Sequence, residues 1–245
     1  MLATVDWNAP WFAPWREPGA AVLSRVAAGL PLHEAMNQQG ASPVRFVASS
    51  ALPAGEPYEQ YIFASGNCPT RQNLHDFFNG LCWLRLPQAK QRLNALQAGQ
   101  IADSGVGGVR GPVRDAITVF DENGALLEAS PALWQALLVR DWQRLFVELR
   151  PLWGDARLIV FGHALLEKLV TPRKDITAHV WASPCAGGSM VEVDRWLAAQ
   201  LSVERLAAKP FTPLPLMGIP GWCRENQDFS FYDDSLVFRP AGPRN

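Results

Sequence analysis

The amino-acid sequence predicts a single-domain α+β fold, predominantly helical, with short strands and at least one β-hairpin. Several segments repeat apolar residues at the 3.6-residue period of a helix, whereas the apolar runs that suit strands are short. The two kinds of element are mixed without regular alternation, which disfavours a doubly wound parallel sheet. The chain has 245 residues and shows no repeat, low-complexity tract or linker, so we expect one domain over residues 1–245.

The first 18 residues are rich in tryptophan and proline. The indoles of Trp7, Trp11 and Trp15 alternate with prolines, and proline interrupts a continuous helix. We therefore predict that residues 1–18 form an extended strap, whose large rings pack over the edge of the core.

The rest of the N-terminal half predicts helices over most of its length. A run at 58–64 fits a helix or a strand equally well, and the glycine-rich stretch 104–112 predicts a loop. Asn123-Gly124 between two apolar runs is typical of a tight turn, so we predict a β-hairpin over residues 117–127. The other elements predicted here are helices over 20–28, 31–38, 72–86 and 88–102, and a strand over 45–48.

The C-terminal half contains two clearly marked helix starts. Ser130-Pro131 supplies a capping hydroxyl and a proline at the first helical position, and Ser189 with Glu192 fits a capping box. A third and shorter helix is predicted to begin after Gly162. The longer predicted helices cover 130–149 and 189–201, and the predicted strands cover 157–161, 176–181 and 235–238.

Composition excludes several classes of protein. Hydrophobic residues make up 48% of the chain and charged residues 18%, which excludes general disorder. The net charge of -1 does not indicate nucleic-acid binding, and no apolar run approaches the ~20 residues that span a bilayer. The cysteines lack the spacing of a zinc site and indicate free thiols. Because the N-terminus does not resemble a signal peptide either, we expect a cytoplasmic protein with no membrane partner.

The helix predicted over 72–86 has an unusual polar face. Opposite its apolar stripe, and without any Lys or Glu, it carries Gln72, His75, Asp76, Asn79, Cys82 and Trp83. Asn, His, Asp and Trp are poorer helix formers than Lys and Glu, and they gain nothing from facing bulk water. We therefore predict that this face meets protein or ligand.

Three ionisable residues supply the predicted chemistry. His75 and Asp76 are joined in the predicted catalytic set by His163, which lies at a strand-to-helix junction. The same three residues are the predicted ligands of a divalent metal, the candidate cofactor, which would activate water. We predict a hydrolase-type enzyme, metal-assisted or metal-free, acting on a small phosphate-containing substrate. The predicted substrate-binding residues are Arg71, Asn79 and Arg114.

A structural interpretation of the same residues is equally open. Asn73 at the N-cap and Asp76 three residues later fit a capping arrangement, in which Asp76 only satisfies backbone donors. His75 and Asn79 would then complete a buried hydrogen-bond network in a non-catalytic binding or scaffold protein. Of the other imidazoles, His179 lies within an apolar strand and fits a core histidine.

Short motifs spread along the chain resemble a known family. They are Tyr58-Glu59, Pro69-Thr70-Arg71, 73–79, Trp83 with Pro87, Lys90 and Asn94, 114–116, 120–124, 161–165 with Glu167, 218–222, Phe231-Tyr232 and 237–239. Together they resemble an uncharacterised proteobacterial family known only as a domain of unknown function, the DUF3025 type. This resemblance covers nearly the whole chain and implies one domain, but it carries no known reaction.

Overall fold

The structure, a computed structural model, describes residues 4–104, 111–184 and 187–240 and has the predicted α+β class. Helices predominate, and the strands are short. The helices are α1 (Arg16–Ala27), α2 (Leu32–Asn37), α3 (Tyr58–Ser65), α4 (Leu74–Arg85), α5 (Pro87–Ser104), α6 (Pro112–Asn123), α7 (Pro131–Leu138), α8 (His163–Lys168), α9 (Met190–Gln200) and α10 (Val203–Ala207). The strands are β1 (Arg45–Ala48), β2 (Asn67–Thr70), β3 (Gly124–Glu128), β4 (Arg157–Val160), β5 (Thr177–Ala182) and β6 (Thr212–Pro215).

Two small sheets organise the strands. The larger has the order β4-β3-β5-β6, with β3 antiparallel to β4 and parallel to β5, and with β6 antiparallel to β5. Leu126 of the central strand β3 lies opposite Ile159 on one side and Trp181 on the other. The smaller sheet pairs β1 with β2 in parallel. Every residue of β3 is buried, which makes this strand the centre of the fold.

One continuous hydrophobic cluster joins the helices to the larger sheet. Helix α4 contributes Phe77, Phe78 and Leu81, all completely buried, at the spacing of a helical stripe. Helix α8 packs against α4 and α6, and α5 packs against α3, α4 and α6. These contacts bring the polar faces of five helices, α3 to α6 and α8, to one side of the core.

The predicted hairpin over 117–127 is wrong, because its first strand is the end of helix α6. Pro112 occupies the first turn of this helix, and Val113, Ala116, Ile117 and Phe120 form its buried stripe. This spacing is helical, so burial of the stripe prevailed over the local turn preference of Asn-Gly. Asn123-Gly124 marks the passage from α6 into β3. Among the described residues, no two consecutive strands form a hairpin.

The N-terminal segment packs on the core as predicted, but it is not extended. Pro10–Trp15 forms a 3-10 helix that leads directly into α1. Proline is tolerated in a first helical turn, because its missing N–H has no partner there in any case. Trp11 and Trp15 are buried, so the rings do cover the core.

The structure resolves one open expectation and corrects two others. Residues 58–64 fall in helix α3, and the 130–149 segment divides into α7 and a π-helical stretch at Arg144–Glu148. The predicted strand at 235–238 is absent, whereas β6 forms in the proline-rich segment before it. The capping box of Ser189 and Glu192 is confirmed. The predicted loop at 105–110 and Cys185 lie outside the described residues.

None of the described helices combines the length and the apolar character that crossing a bilayer requires.

Candidate functional site

A cavity of about 380 Å³ opens between helices α3, α4, α5, α6 and α8. Its wall is mixed, with several ionisable and amide side chains beside a smaller apolar part. The polar residues on this wall include Tyr58, Glu59, Arg71, His75, Asp76, Asn79, Lys90, Asn94, Gln97, Arg114, Asp121 and His163. Trp83, Leu93, Ile101 and Ile117 provide the apolar part.

The polar face of α4 is sheltered, as the sequence predicts. Asp76 is 5% exposed and Asn79 is 7% exposed, and both line the cavity together with His75. Cys82 is buried on the same face, where its thiol donates to the Phe161 carbonyl at 3.2 Å. Asp76, Asn79, Cys82 and Trp83 of this face are therefore buried, whereas His75 is partly exposed and Gln72, just before the helix, is exposed.

Two of the three predicted catalytic residues come into direct contact. The Nε2 atoms of His75 and His163 lie 3.0 Å apart, with the rings edge to face at a centroid distance of 4.5 Å. On its other side, His75 Nδ1 lies 3.1 Å from Glu167 Oε2. The contact joins α4 to α8, and Glu167 follows His163 by one helical turn.

Gly162 explains how His163 reaches this position. A Cβ atom at Gly162 would overlap the backbone of Glu122 and Asn123, so only glycine allows α8 to start this close to the end of α6. The Gly162 N–H also donates to the Gly124 carbonyl at 2.8 Å. His163 begins α8 at this junction, and its Nδ1 lies 3.6 Å from Asp121 Oδ2.

Asp121 is held by a buried ammonium. Lys90 Nζ donates to Asp121 Oδ1 at 2.6 Å and also lies over the Trp83 ring, 5.5 Å from its centroid. Burial alone would raise the pKa of Asp121, but the Lys90 ammonium and the neighbouring imidazoles bring that pKa below its ordinary value. Burial would likewise lower the pKa of Lys90, but Asp121 and Glu59 raise it. Both groups of this pair are therefore charged at neutral pH.

His163 is neutral in this environment. Burial lowers the pKa of His163 to about 4, and the opposing attraction of Asp121 does not offset this. A neutral imidazole carries one proton, and the carboxylate of Asp121 favours its location on Nδ1. His163 Nε2 is then an acceptor, so His75 donates from its own Nε2.

Asp76, the third predicted catalytic residue, does not join the histidines. Its carboxylate accepts from the Arg71 Nε, Nη2 and backbone N–H at 3.1, 2.8 and 2.7 Å, and its own N–H donates to Asn73 Oδ1 at 2.8 Å. These contacts match the structural interpretation of Asn73 and Asp76. Within the described ranges, no group of three or more His, Cys, Asp and Glu side chains has an arrangement that could hold a metal ion.

The predicted substrate-binding residues all line the cavity. Asn79 donates to the Tyr58 hydroxyl at 3.1 Å, while its Oδ1 is buried and has no hydrogen-bond partner among the described residues. Gln97 Oε1 is buried and unpartnered in the same sense. Arg114 is 8% exposed and lies on the wall formed by α6.

Several site residues received no chemical role from the sequence: Tyr58, Glu59, Lys90, Asn94, Gln97, Asp121 and Glu167. Asn94 donates to Glu59 Oε2 at 2.7 Å, and burial raises the pKa of Glu59 although Lys90 opposes the shift. The sequence does carry one signal, because Lys90 and Asn94 lie one turn apart in α5 and so share a face. The role of Asp121 is not visible in the sequence, because its segment is wrongly predicted as a hairpin turn.

The fold and the site define an α+β protein with a histidine-containing polar cavity. The family described as Protein of unknown function (DUF3025) matches residues 44–242, and the chain belongs to this family. The matched region contains every residue named here on the cavity wall. No curated protein and no solved structure gave a significant match.

Proposed function

We propose that this protein is a hydrolytic acid–base enzyme that acts on a small polar substrate in the cavity. The observation that supports this is the His75–His163 pair on the cavity wall, with each imidazole adjacent to a carboxylate. Neighbouring titratable groups that differ in protonation because their environments differ are the usual acids and bases of active sites. His163 is neutral, so His75 is the member of the pair that carries the exchangeable proton.

His75 has the position that proton transfer requires. Its side chain is 34% exposed, whereas that of His163 is 8% exposed, so His75 is the more accessible imidazole. In the proposed reaction neutral His75 accepts a proton from water as the water oxygen attacks the substrate, and then donates that proton to the leaving group. Glu167 orients the His75 ring through its contact with Nδ1. His163, whose Nδ1 lies on the side of the Asp121 carboxylate, accepts the hydrogen bond from His75.

The cavity suits a small molecule with hydrogen-bond donors. Its volume of about 380 Å³ lies within the range of small-molecule sites, roughly 300–1,000 Å³. Asn79 Oδ1 and Gln97 Oε1 are buried acceptors that have no partner among the described residues. Buried polar atoms are nearly always satisfied, so these two indicate where substrate N–H or O–H groups would bind.

The metal-assisted version is the weaker form of this proposal. Two imidazole nitrogens converge, but Asp76 is bound to Arg71, so water or substrate would have to supply the remaining ligands. Metal analysis of purified protein and of the His75→Gln variant distinguishes the two versions. A stoichiometric ion that the variant loses would favour the metal-assisted version over the metal-free version.

Histidine-resolved NMR tests the proposed protonation directly. At pH 7 we expect long-range ¹H–¹⁵N spectra to show His163 as a neutral ring with its proton on Nδ1. The rates at which wild type and His75→Gln hydrolyse p-nitrophenyl acetate and p-nitrophenyl phosphate are then compared. We expect the rate to be about 100-fold lower, or lower still, in His75→Gln. A His163 ring that titrates like a free imidazole, or hydrolysis that is unaffected by His75→Gln, would contradict the proposal.

A non-catalytic binding protein is the second candidate, and the contacts of the buried Asp76 with Arg71 and Asn73 favour it. In that case the polar face of α4 stabilises the fold, and His75→Ala would lower the free energy of unfolding by about 1–3 kcal/mol. If His75 is instead a partly exposed catalytic imidazole, His75→Ala should lower the free energy of unfolding by less. Urea denaturation of His75→Ala therefore separates the two functions.

A further inference from the structure

Arg71 is held in one orientation at the edge of the cavity. Its Nε and Nη2 atoms donate side by side to the two oxygens of Asp76, and its backbone N–H donates to the same carboxylate. Asp76 is itself buried, and its backbone N–H donates to Asn73 Oδ1 in the first turn of α4, so the carboxylate extends from an ordered position. A two-point contact of this kind fixes the plane of a guanidinium.

The fixed guanidinium retains donors for a ligand. Of the five N–H groups that an arginine side chain carries, two bond Asp76, and the other three meet no acceptor among the described residues. The Arg71 side chain is 63% exposed although its anchor Asp76 is 6% exposed, and it lines the cavity beside His75.

The neighbouring charges place Arg71 next to the proposed catalytic pair. The hydrogen bonds that Arg71 donates to Asp76 raise the pKa of Arg71 most, and the charges of Asp76 and Glu167 raise it further, so Glu167 lies within electrostatic range of the guanidinium. Glu167 is also the hydrogen-bond partner of His75. A group bound to Arg71 would therefore lie close to the imidazole that exchanges the proton.

The geometry points to Arg71 as an oxyanion subsite, which binds a carboxylate or phosphate group of the substrate through the donors that Asp76 leaves free. This inference rests on the proposed function, since it names the substrate class of the same cavity. Two oxygens of a carboxylate or a phosphate match a guanidinium that can donate two parallel hydrogen bonds, and a lysine ammonium at the same place would not reproduce that geometry.

Isothermal titration calorimetry of the full chain tests the subsite. Inorganic phosphate and succinate are titrated separately in a chloride buffer of constant ionic strength, into wild type, Arg71→Gln and Arg71→Lys. Arg173→Gln is the matched control, because Arg173 is similarly exposed and pairs with Asp175 at 3.3 Å, outside the cavity wall. Circular dichroism melting shows that each variant is folded.

We expect wild type and Arg173→Gln to bind at least one of the two anions with equal affinity. Arg71→Gln should lower that affinity about tenfold or more, and Arg71→Lys should recover only part of it. Binding of phosphate alone or of succinate alone assigns the group that the subsite accepts. Equal affinity in wild type and Arg71→Gln, or no binding of either anion to wild type, overturns the subsite.

The outcome is separable from the test of the proposed function. If the imidazoles have the expected protonation but neither anion binds, the subsite fails and the acid–base proposal stands. If an anion binds through Arg71 but His163 titrates freely, the subsite stands as a binding site and the acid–base proposal fails.

Discussion

His75 and His163 lie 88 positions apart in the chain, yet their Nε2 atoms are separated by only 3.0 Å. The two imidazoles differ in environment, because His163 is buried beside Asp121 whereas His75 is partly exposed beside Glu167. The pair can hold one proton between its facing nitrogens, and the burial of His163 assigns that proton to His75. The following predictions test this assignment and the contacts that produce it.

The buried state of His163 should make the protein sensitive to acid. Its pKa is about 4 in the folded protein and 6.5 as the ordinary value, so the unfolded chain binds more protons between these pH values. The free energy of unfolding should therefore be fully maintained above pH 6.5 and decrease as the pH falls toward 4. The loss is about 3 kcal/mol, since a tenfold change in proton affinity is worth about 1.4 kcal/mol.

Urea denaturation at a series of pH values measures this dependence. His163→Gln should flatten it between pH 6.5 and 4, whereas the control His33→Gln should not, because His33 lies away from the cavity wall beside Glu34. Identical pH dependence in wild type and His163→Gln would show that His163 does not titrate as inferred.

Glu59 should contribute a pH dependence of the opposite sign. Burial raises its pKa above the ordinary value of 4.5, so the folded protein binds this proton more tightly than the unfolded chain. The free energy of unfolding therefore decreases as the pH rises from 4.5 through the folded pKa. Glu59→Gln keeps an oxygen that accepts from Asn94, and it should remove this decrease.

The difference between the unfolding curves of wild type and Glu59→Gln isolates the contribution of Glu59 from that of His163. Glu128→Gln is a useful comparison, because the pKa of Glu128 is also raised by burial but this residue contacts Arg157 away from the cavity wall. A Glu59→Gln protein with the pH dependence of wild type would exclude a raised pKa at Glu59.

The sequence predicted the helix that carries the site better than it predicted the site itself. The polar face of α4 was recognisable because His75, Asp76 and Asn79 replace the Lys and Glu of an ordinary exposed face. Capping signals also marked helix starts such as Ser189. These features are local, so the residues within a few turns determine them.

The partners of that face could not be predicted, because they depend on tertiary contacts. Asp121 belongs to α6, and its role emerges only when helix α6 is recognised and Lys90 is placed beside it. Asp76 was assigned to the metal, since nothing in the sequence shows that Arg71 turns back to bind it. Asn123-Gly124 favoured a hairpin locally, while the burial of Phe120 and Ile117 required a helix.

Removal of the Asp121 charge should strongly destabilise the fold. Asp121→Asn leaves the buried Lys90 ammonium without the carboxylate that it bonds at 2.6 Å, and loss of one partner of a buried ion pair costs about 3–5 kcal/mol. The double variant Lys90→Met/Asp121→Asn removes the unpaired charge and should recover much of this loss. Chemical denaturation of the three proteins provides the comparison, and equal stabilities of the single and double variants would contradict it.

The close contact of α8 with α6 should be essential for the histidine pair. Gly162→Ala places a Cβ atom against the backbone of Glu122 and Asn123, so α8 must move away, at a cost of about 1–3 kcal/mol. Gly154→Ala is the matched control, because a Cβ atom there meets nothing within 4 Å. Since His163 begins α8, the same displacement separates it from Asp121 and from His75. We therefore expect the His163 NMR signal to move toward ordinary titration in Gly162→Ala alone; unchanged titration in that variant would show that the close contact does not position the imidazole.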